Sequence, residues 1–600
     1  MKLNYKRTLL VGFAFFLICV FWQAYDTLVP LMLTNKFGLD QTWSGVIMSL
    51  DNILALFMLP LFGALSDKKD TRFGKRTPFI VIGTVCAIVA FVSLTLVDGA
   101  QLKKLADGNT EMYWSQNYKV ENKEYNSITN KGVPAEYDIH DYAANILYNK
   151  NYAELTDEQK TATESWYTGL DYDQYYVYSV ADNEYKACKT VKDENGKLSY
   201  TYADGTEIEK GARRINAYSS TVSSAESLFA KDVSAKNVYL LVIFIIVLLV
   251  TLVSMATFRS PAVALMPDVT VKPLRSKANA IINLMGAAGG IIVLGLGMLF
   301  GTGQVKNQMM NYTLFVSAVC GIMAIALVVF IFTVKEKKWN AEMLEQQAVL
   351  DAEEEAEKAA DTATEATAEV LVTDEVTADA VQTGEQTPTK AKANKLPKDK
   401  LVSLILILAS VALWYIGYNA VTSKYSVYAL NVLNMDYNST LIIAQAAAIA
   451  SYIPVGIISS KLGRKKTILI GVAMLTVAFF GAIFINSSSP SWLMWILFAL
   501  AGIAWATINV NSFPMVVEPA TGSDIGKYTG YYYTASMAAQ VVTPILSGAL
   551  MDATGTMGIL FPYATVFVAG SFVTMLFVKH GDSRPETPKS KLEMLAGSDD

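Results

Sequence analysis

Histidine is almost missing from this chain. Its two copies, His140 and His580, fall in polar stretches, which excludes a histidine proton relay through the apolar segments. Cysteine is nearly as scarce: Cys19, Cys86, Cys188 and Cys320 show no paired spacing, and three of them lie in apolar runs. A disulfide framework and a zinc site are therefore unexpected, and no cofactor is called for. Charge is thin as well, at 17% of 600 residues against 52% hydrophobic, too greasy for a soluble enzyme of this size. No nucleophile–base set, phosphate loop or metal-ligand cluster stands out, so neither catalysis nor nucleic-acid binding is expected. The net charge of −5 says little about the whole, because the acids gather in two polar inserts.

What the chain has instead is a series of apolar runs of about 20 residues, each long enough to cross a bilayer. Spans are predicted over about Leu9–Leu33, Trp43–Leu65, Phe79–Val97, Val238–Leu265, Ala278–Phe300 and Tyr312–Val334. Six more follow, over about Leu401–Leu430, Leu441–Ser460, Thr467–Ile485, Trp492–Val517, Tyr528–Leu550 and Leu560–Val578. The first has no small-residue cleavage site, so it is read as a retained helix. The expected fold class is an all-α membrane protein with twelve transmembrane helices in two six-helix halves. Lys2, Lys6 and Arg7, the basic turns at Lys68 to Arg76 and Lys461 to Lys466, and Lys272, Arg275 and Lys277 mark one side. The positive-inside rule makes that side cytoplasmic, with both termini there and the cell inner membrane as the location.

The turns repeat. Gly63-x-x-Ser66-Asp67 followed by Arg72-x-Gly74-Lys75-Arg76 joins spans 2 and 3, and a second basic turn from Gly456 to Thr467 joins spans 8 and 9 about 390 residues later. Asp268 precedes Lys277 by nine residues, Glu518 precedes Lys527 by nine, and each acid follows a proline, Pro261 or Pro514. A duplicated span–turn–span in a hydrophobic chain is the mark of a carrier built from two related halves.

Two polar segments interrupt the halves. Residues 98–236 separate spans 1–3 (residues 1–97) from spans 4–6 (237–334) and hold sixteen of the thirty-one tyrosines, with Trp114 and Trp166. This aromatic content is unlike a disordered tail, so the segment is expected to be a small extracytoplasmic domain. Its tyrosines either form a sugar-stacking lid or build the domain's core. Residues 335–400 form a cytoplasmic linker that opens basic, continues as a helix and then turns into an Ala/Glu/Thr/Asp tract expected to be disordered over Ala359 to Thr389. Residues 401–579 carry spans 7–12, and 580–600 a cytoplasmic tail.

Asp26, Asp51 and Arg259 are ionisable residues inside spans of the first half, where an isolated charge costs a few kcal/mol even on the gentler insertion scale. They must pair, titrate or line a wet cavity, and a carboxylate whose solvation changes as a cavity opens and closes suits proton coupling. The alternative is a structural ion pair holding helices together. Asp268 joins them as a coupling candidate. Gln23, Asn52, Asn283, Asn419, Asn511 and Gln540 offer amides, and Tyr25 and Tyr418 phenols, to a polar solute; each amide is equally able to bond a neighbouring helix. Asp67, Arg72, Gly74 and Arg76, with Glu518 and Lys527 in the second half, are expected to latch the inner helix ends. Lys424, near the outer end of span 7, is read as snorkelling.

The first turn with Pro78 resembles the signature of the major facilitator superfamily in the form found in sucrose–proton symporters. Leu50-Asp51-Asn52-Ile53-Leu54-Ala55 with Pro60-Leu61-x-Gly63 resembles bacterial members of the solute-carrier 45 group, a relative of the glycoside–pentoside–hexuronide carriers. Arg259 to Asp268 is similar to that family's span-4 motif, in which an arginine and a following acid are functionally essential. The resemblance implies a proton-coupled sugar symporter that imports a disaccharide or short glucoside by alternating access, with sugar, proton and lipid bilayer as partners and a monomeric state. Alternatives are a sugar receptor without net flux and an exporter or exchanger of another small polar solute. The residues 98–236 have no counterpart in the family pattern. Ala55 stands where melibiose-type sodium carriers are expected to have a second acid, which leans the coupling ion towards the proton.

Overall fold

The computed structural model describes residues 3–108, 150–168, 175–179, 184–192, 198–202, 214–216, 233–271, 274–304, 310–352, 398–433, 435–486, 489–517 and 525–579, with isolated positions between them. Twelve long helices dominate it: α1 (Tyr5–Leu31), α2 (Gln41–Asp67), α3 (Thr77–Gly108), α4 (Val238–Asp268), α5 (Arg275–Phe300) and α6 (Thr313–Thr333) in the first half. The second half holds α7 (Lys398–Asn431), α8 (Tyr437–Leu462), α9 (Arg464–Ala482), α10 (Ser491–Val517), α11 (Ile525–Thr554) and α12 (Leu560–Leu576). Eleven of the described helices are long and apolar enough to cross a membrane. The twelfth, α8, has 26 residues and packs against α10 and α5.

Such sequences become helices because a chain in hydrocarbon must satisfy every backbone N–H and C=O within itself. Polar residues act where the chain leaves that environment. Asn4 accepts from Arg7 N at 3.1 Å, Asp40 from Trp43 N at 2.9 Å and Asp436 from Asn438 N at 2.8 Å, each at a helix start. The outward faces carry exposed apolar residues such as Val89, Leu299, Phe332 and Val566, as a surface facing lipid tails requires.

The halves pack by one plan. In the first, α1 lies on α5 and α6, α3 on α4 and α6, and α2 on α4; in the second, α7 lies on α11 and α12, α9 on α10 and α12, and α8 on α10. Each pair recurs six helices later. Between the halves, α2 packs on α11 and α5 on α8, again equivalent under that shift, while α1 lies on α7. The duplication seen in the turns therefore extends to the whole helix arrangement. Small residues allow close approach: a Cβ on Gly286 would meet Cys19 Sγ at 2.8 Å and one on Gly289 would meet Val20 Cγ2 at 2.9 Å, so α5 seats directly on α1.

One boundary differs clearly from that expected. Helix α3 continues past Val97 to Gly108, because Asp98 is fully buried against Lys36, Nζ to Oδ2 2.5 Å, and Gln101 donates to the Lys36 carbonyl at 3.0 Å. A π-turn, Met32–Lys36, ends α1 and brings Lys36 into that contact. The 98–236 segment contains a helix, Asp157–Thr168, and a four-stranded antiparallel sheet of β1 (Tyr175–Ser179), β2 (Glu184–Lys192), β3 (Leu198–Tyr202) and β4 (Arg214–Asn216) in the order β3-β2-β1-β4. Tyr175 faces Cys188 on one side and Asn216 on the other. The linker begins as a helix over residues 336–352; its Ala359–Thr389 tract lies outside the described residues.

Candidate functional site

A cavity of about 120 Å³ lies between the halves, lined by Asp26, Met48, Asp51 and Asn52 of the first and by Asn419, Thr422, Ser423, Gln540 and Pro544 of the second. Helices α1 and α2 thus supply two carboxylates, while α7 and α11 supply hydroxyls and amides. Asp51 accepts from Asn52 N at 2.5 Å and from Asn52 Nδ2 at 2.7 Å, which fixes its carboxylate at the cavity wall. Asn419 Nδ2 is buried without a hydrogen-bond partner among the described residues, a donor left for a group inside the cavity. A second, narrow crevice starts at Asp51 and is lined by Trp22, Leu54, Ala55, Leu59, Leu252, Ala256 and Arg259. Successive α2 residues order these spaces, so the crevice leads from the cavity towards the end of the bundle that carries the linker.

Five of the residues singled out in the sequence meet at this cavity: Asp26, Asp51, Asn52, Asn419 and Gln540. Arg259 reaches Asp51's crevice but makes no ion pair there among the described residues. Its guanidinium sits 5.5 Å from the Trp22 ring centroid instead. Gln23 accepts from Gln445 Nε2 of the other half at 2.5 Å.

The other candidates point elsewhere. Tyr25 is fully buried in the first half's core, stacked on Phe21 at 5.9 Å. Asn511 is buried between helices, donating to Thr507 O at 3.0 Å and accepting from Ser459 Oγ. Asn283 is half-buried on α5 and does not line the cavity; its Nδ2 has no hydrogen-bond partner among the described residues. Tyr418 lies flat on Trp505, ring centroids 3.6 Å apart and planes 6° from parallel. An α7 or α5 position alone does not say which way a polar side chain faces; packing against the neighbouring helix decides it.

At the linker end, Arg76 Nε donates to Asp268 Oδ2 at 2.8 Å, and the same guanidinium pairs with Asp67 and with Ser66 Oγ. Burial works against the Arg76 charge, but Asp268 and Asp67 more than offset it and raise its pKa above the ordinary arginine value. Gly74 has φ +118, and a Cβ there would run into the Glu336 side chain. Arg72 lies at 4.5 Å over the Phe73 ring. Glu518 and the Lys527 side chain lie outside the described residues.

Glu336 escaped sequence reasoning. Its carboxylate accepts from the N–H groups of Lys75, Arg76 and Thr77 at 2.6, 2.8 and 2.7 Å, and from Thr77 Oγ1 at 2.7 Å, so it caps α3 from the linker. Met48, Thr422, Ser423 and Pro544 also line the cavity without having been singled out. The only sequence signal for the two hydroxyls was their place one turn after Asn419. Lys424 does not snorkel: it is 1% exposed and donates across the halves to Gln41 O at 2.7 Å.

The hydrogen bonds described between the halves lie at Gln23–Gln445 or nearer the end opposite the linker. There Asp552 accepts from Gln41 N and Thr42 N at 2.9 and 2.7 Å, Tyr437 Oη donates to Thr302 Oγ1 at 2.9 Å and Asn431 Nδ2 to Asn35 Oδ1 at 3.3 Å. This end is closed.

The family model described as Major Facilitator Superfamily matches residues 220–518 and 439–596, and the one described as MFS/sugar transport protein matches residues 10–101. No curated protein matches the chain. Among solved structures, the chain is similar to the inward-open conformation of the xylose transporter XylE from E. coli, at 11% identity over 99% of each chain with a TM-score of 0.50. It is also similar to a D-xylose-proton symporter, at 11% identity over 97% of this chain and 99% of that one with a TM-score of 0.49. The nucleoside transporter NupG gives 12% identity over 96% and 98% with a TM-score of 0.43. Identities this low speak to the fold alone.

Proposed function

Because the chain belongs to the major facilitator superfamily, and is thus a multi-pass membrane transporter and not an enzyme, we propose that it is a proton-coupled sugar symporter. The observation that carries this reading is the cavity itself, where both halves meet around two carboxylates and a set of hydrogen-bonding amides and hydroxyls. A sugar presents many hydroxyls, each donor and acceptor. Asn52, Asn419 and Gln540 can answer both roles. The resemblance to sucrose–proton symporters favours a disaccharide or short glucoside, and the sugar-transport family model over residues 10–101 agrees with a sugar.

The placement of Asp51 supports a coupling role for it. It borders the solute cavity on one side and the Arg259 crevice on the other. Protonated, it is a neutral wall of the cavity; deprotonated, it holds a charge that the guanidinium can approach as the helices rock. Asp26 shares the cavity and can receive a proton from Asp51 or from water. The halves would rock around this site, sealing the end opposite the linker while the linker end opens. The basic turns argue that the linker end is cytoplasmic, with residues 109–229 outside, and that the membrane is the cell inner membrane.

Sugar counterflow in proteoliposomes tests substrate class. Labelled sucrose, maltose and longer glucans should exchange with unlabelled sugar in at least one case. Exchange of no sugar, with exchange of nucleosides or peptides, would overturn the assignment.

A further inference from the structure

The closed end contains an arrangement that the transport site does not use. The first turn of α2 is gripped from the opposite half by two opposite charges. Asp552 of α11 accepts from Gln41 N and Thr42 N at 2.9 and 2.7 Å, and from Thr42 Oγ1. Lys424 of α7 donates to Gln41 O at 2.7 Å and to Gln41 Oε1 at 3.2 Å. An anion thus meets the helix's free N–H groups, and a cation meets a carbonyl of the same residue. Asp40, the other carboxylate at this turn among the described residues, accepts from Trp43 N at 2.9 Å.

Lys424 is 1% exposed and has no carboxylate within ion-pair distance among the described residues. A buried ammonium whose described hydrogen bonds go to a carbonyl and an amide, with no carboxylate in direct contact among the described residues, is a costly arrangement. Close backbone contact completes the seal: a Cβ on Gly45 would collide with the Pro544 carbonyl, and one on Gly548 with the Gln41 carbonyl.

The geometry points to a partner-exchanging gate: Lys424 and Asp552 clamp the start of α2 when this end is closed, and pair with each other when α2 moves away. Both belong to the second half, on helices that pack together, and both reach the same residue of the first. Once Gln41 leaves, each loses its partner on that residue, and their pairing keeps Lys424 from being left alone in the open state. The gate rests on the alternating-access reading above, but its test needs no substrate.

The test is a double-mutant cycle on the open-to-closed ratio, read from spin-label distances in nanodiscs. Labels at Leu314 and Trp492, both exposed at this end, report the gap between the halves in a full-length background with the four native cysteines replaced. A control pair at Phe484 and Thr554, within the second half, should keep one distance in every variant and so shows that each is folded. Lys424→Gln and Asp552→Ala together should open this end about tenfold or more, since each removes a charge-assisted bond to α2. Partner exchange makes the effects non-multiplicative: each single variant also loses the open-state pair, so the double should open more than the product of the singles, by about threefold. A double equal to that product overturns the exchange, and a double that stays closed overturns the gate. Either result would leave sugar transport to be judged by counterflow alone.

Discussion

Replacing Glu336 with alanine should loosen a turn that lies some 260 residues earlier in the chain. The carboxylate is buried and takes three consecutive backbone N–H groups, of Lys75, Arg76 and Thr77, together with the Thr77 hydroxyl. No other acceptor is described for those three donors. A helix cap is worth about 1 kcal/mol, and hydrogen bonds to a charged group about 1.5–3 kcal/mol each, without simple additivity. About 3 kcal/mol is a reasonable figure for the whole cap, which corresponds to roughly a hundredfold in local opening. Amide hydrogen exchange reads this directly. In Glu336→Ala the amides of residues 75–77 should exchange about a hundredfold faster, and in Glu336→Gln, which keeps one acceptor but not the charge, about tenfold. Helices α7 to α12 should be unaffected. Unchanged exchange at 75–77 in the alanine variant would refute the cap.

Three further outcomes follow from the packing. Gly45→Val should wedge the closed end apart, because its side chain would enter the Pro544 backbone; thiol labels placed on the cavity should then react from that end, and labelling as slow as in the parent would contradict the close approach. Lys36→Met strands a fully buried Asp98 and should cost about 3–5 kcal/mol, whereas adding Asp98→Leu should return much of it, as thermal melts of detergent-solubilised protein can show. Replacing residues 109–229 with a Gly/Ser linker should leave coupled uptake, since the cavity is built by helices alone; the splice falls after Gly108 because Asp98 and Gln101 serve the helix bundle.

Much of this was legible in the sequence, for a physical reason. A span in lipid declares itself by sustained hydrophobicity, so all twelve helices and their pairing into two halves could be read from apolar runs and repeated basic turns. Asp51 and Asp26 stood out because charge is rare inside spans, and both face the cavity. What stayed hidden depended on orientation or on distant partners. Asn511 and Asn419 are alike as letters, yet one bonds Ser459 and the other opens on the cavity. Glu336, set among lysines, looks like a solvated linker residue until the fold carries it to α3. Lys424 looked able to snorkel because its own sequence neighbourhood does not contain Gln41, the residue from the other half that holds it. Falling hydropathy at Asp98 places it in the insert, although the helix continues around a buried ion pair.

The most direct measurement is sugar uptake by proteoliposomes under an imposed pH difference, comparing the parent with Asp51→Asn. The substitution leaves a neutral side chain of the same shape that can still hydrogen-bond Asn52 but cannot release a proton. Accumulation against a gradient needs protonation and release in every cycle, whereas counterflow needs only the loaded carrier to reorient. The account predicts that the parent accumulates sugar when protons flow inward, that Asp51→Asn loses this accumulation, and that it retains counterflow. Should Asp51→Asn still concentrate sugar when the pH difference is applied, Asp51 does not carry the coupled proton and the mechanism is wrong.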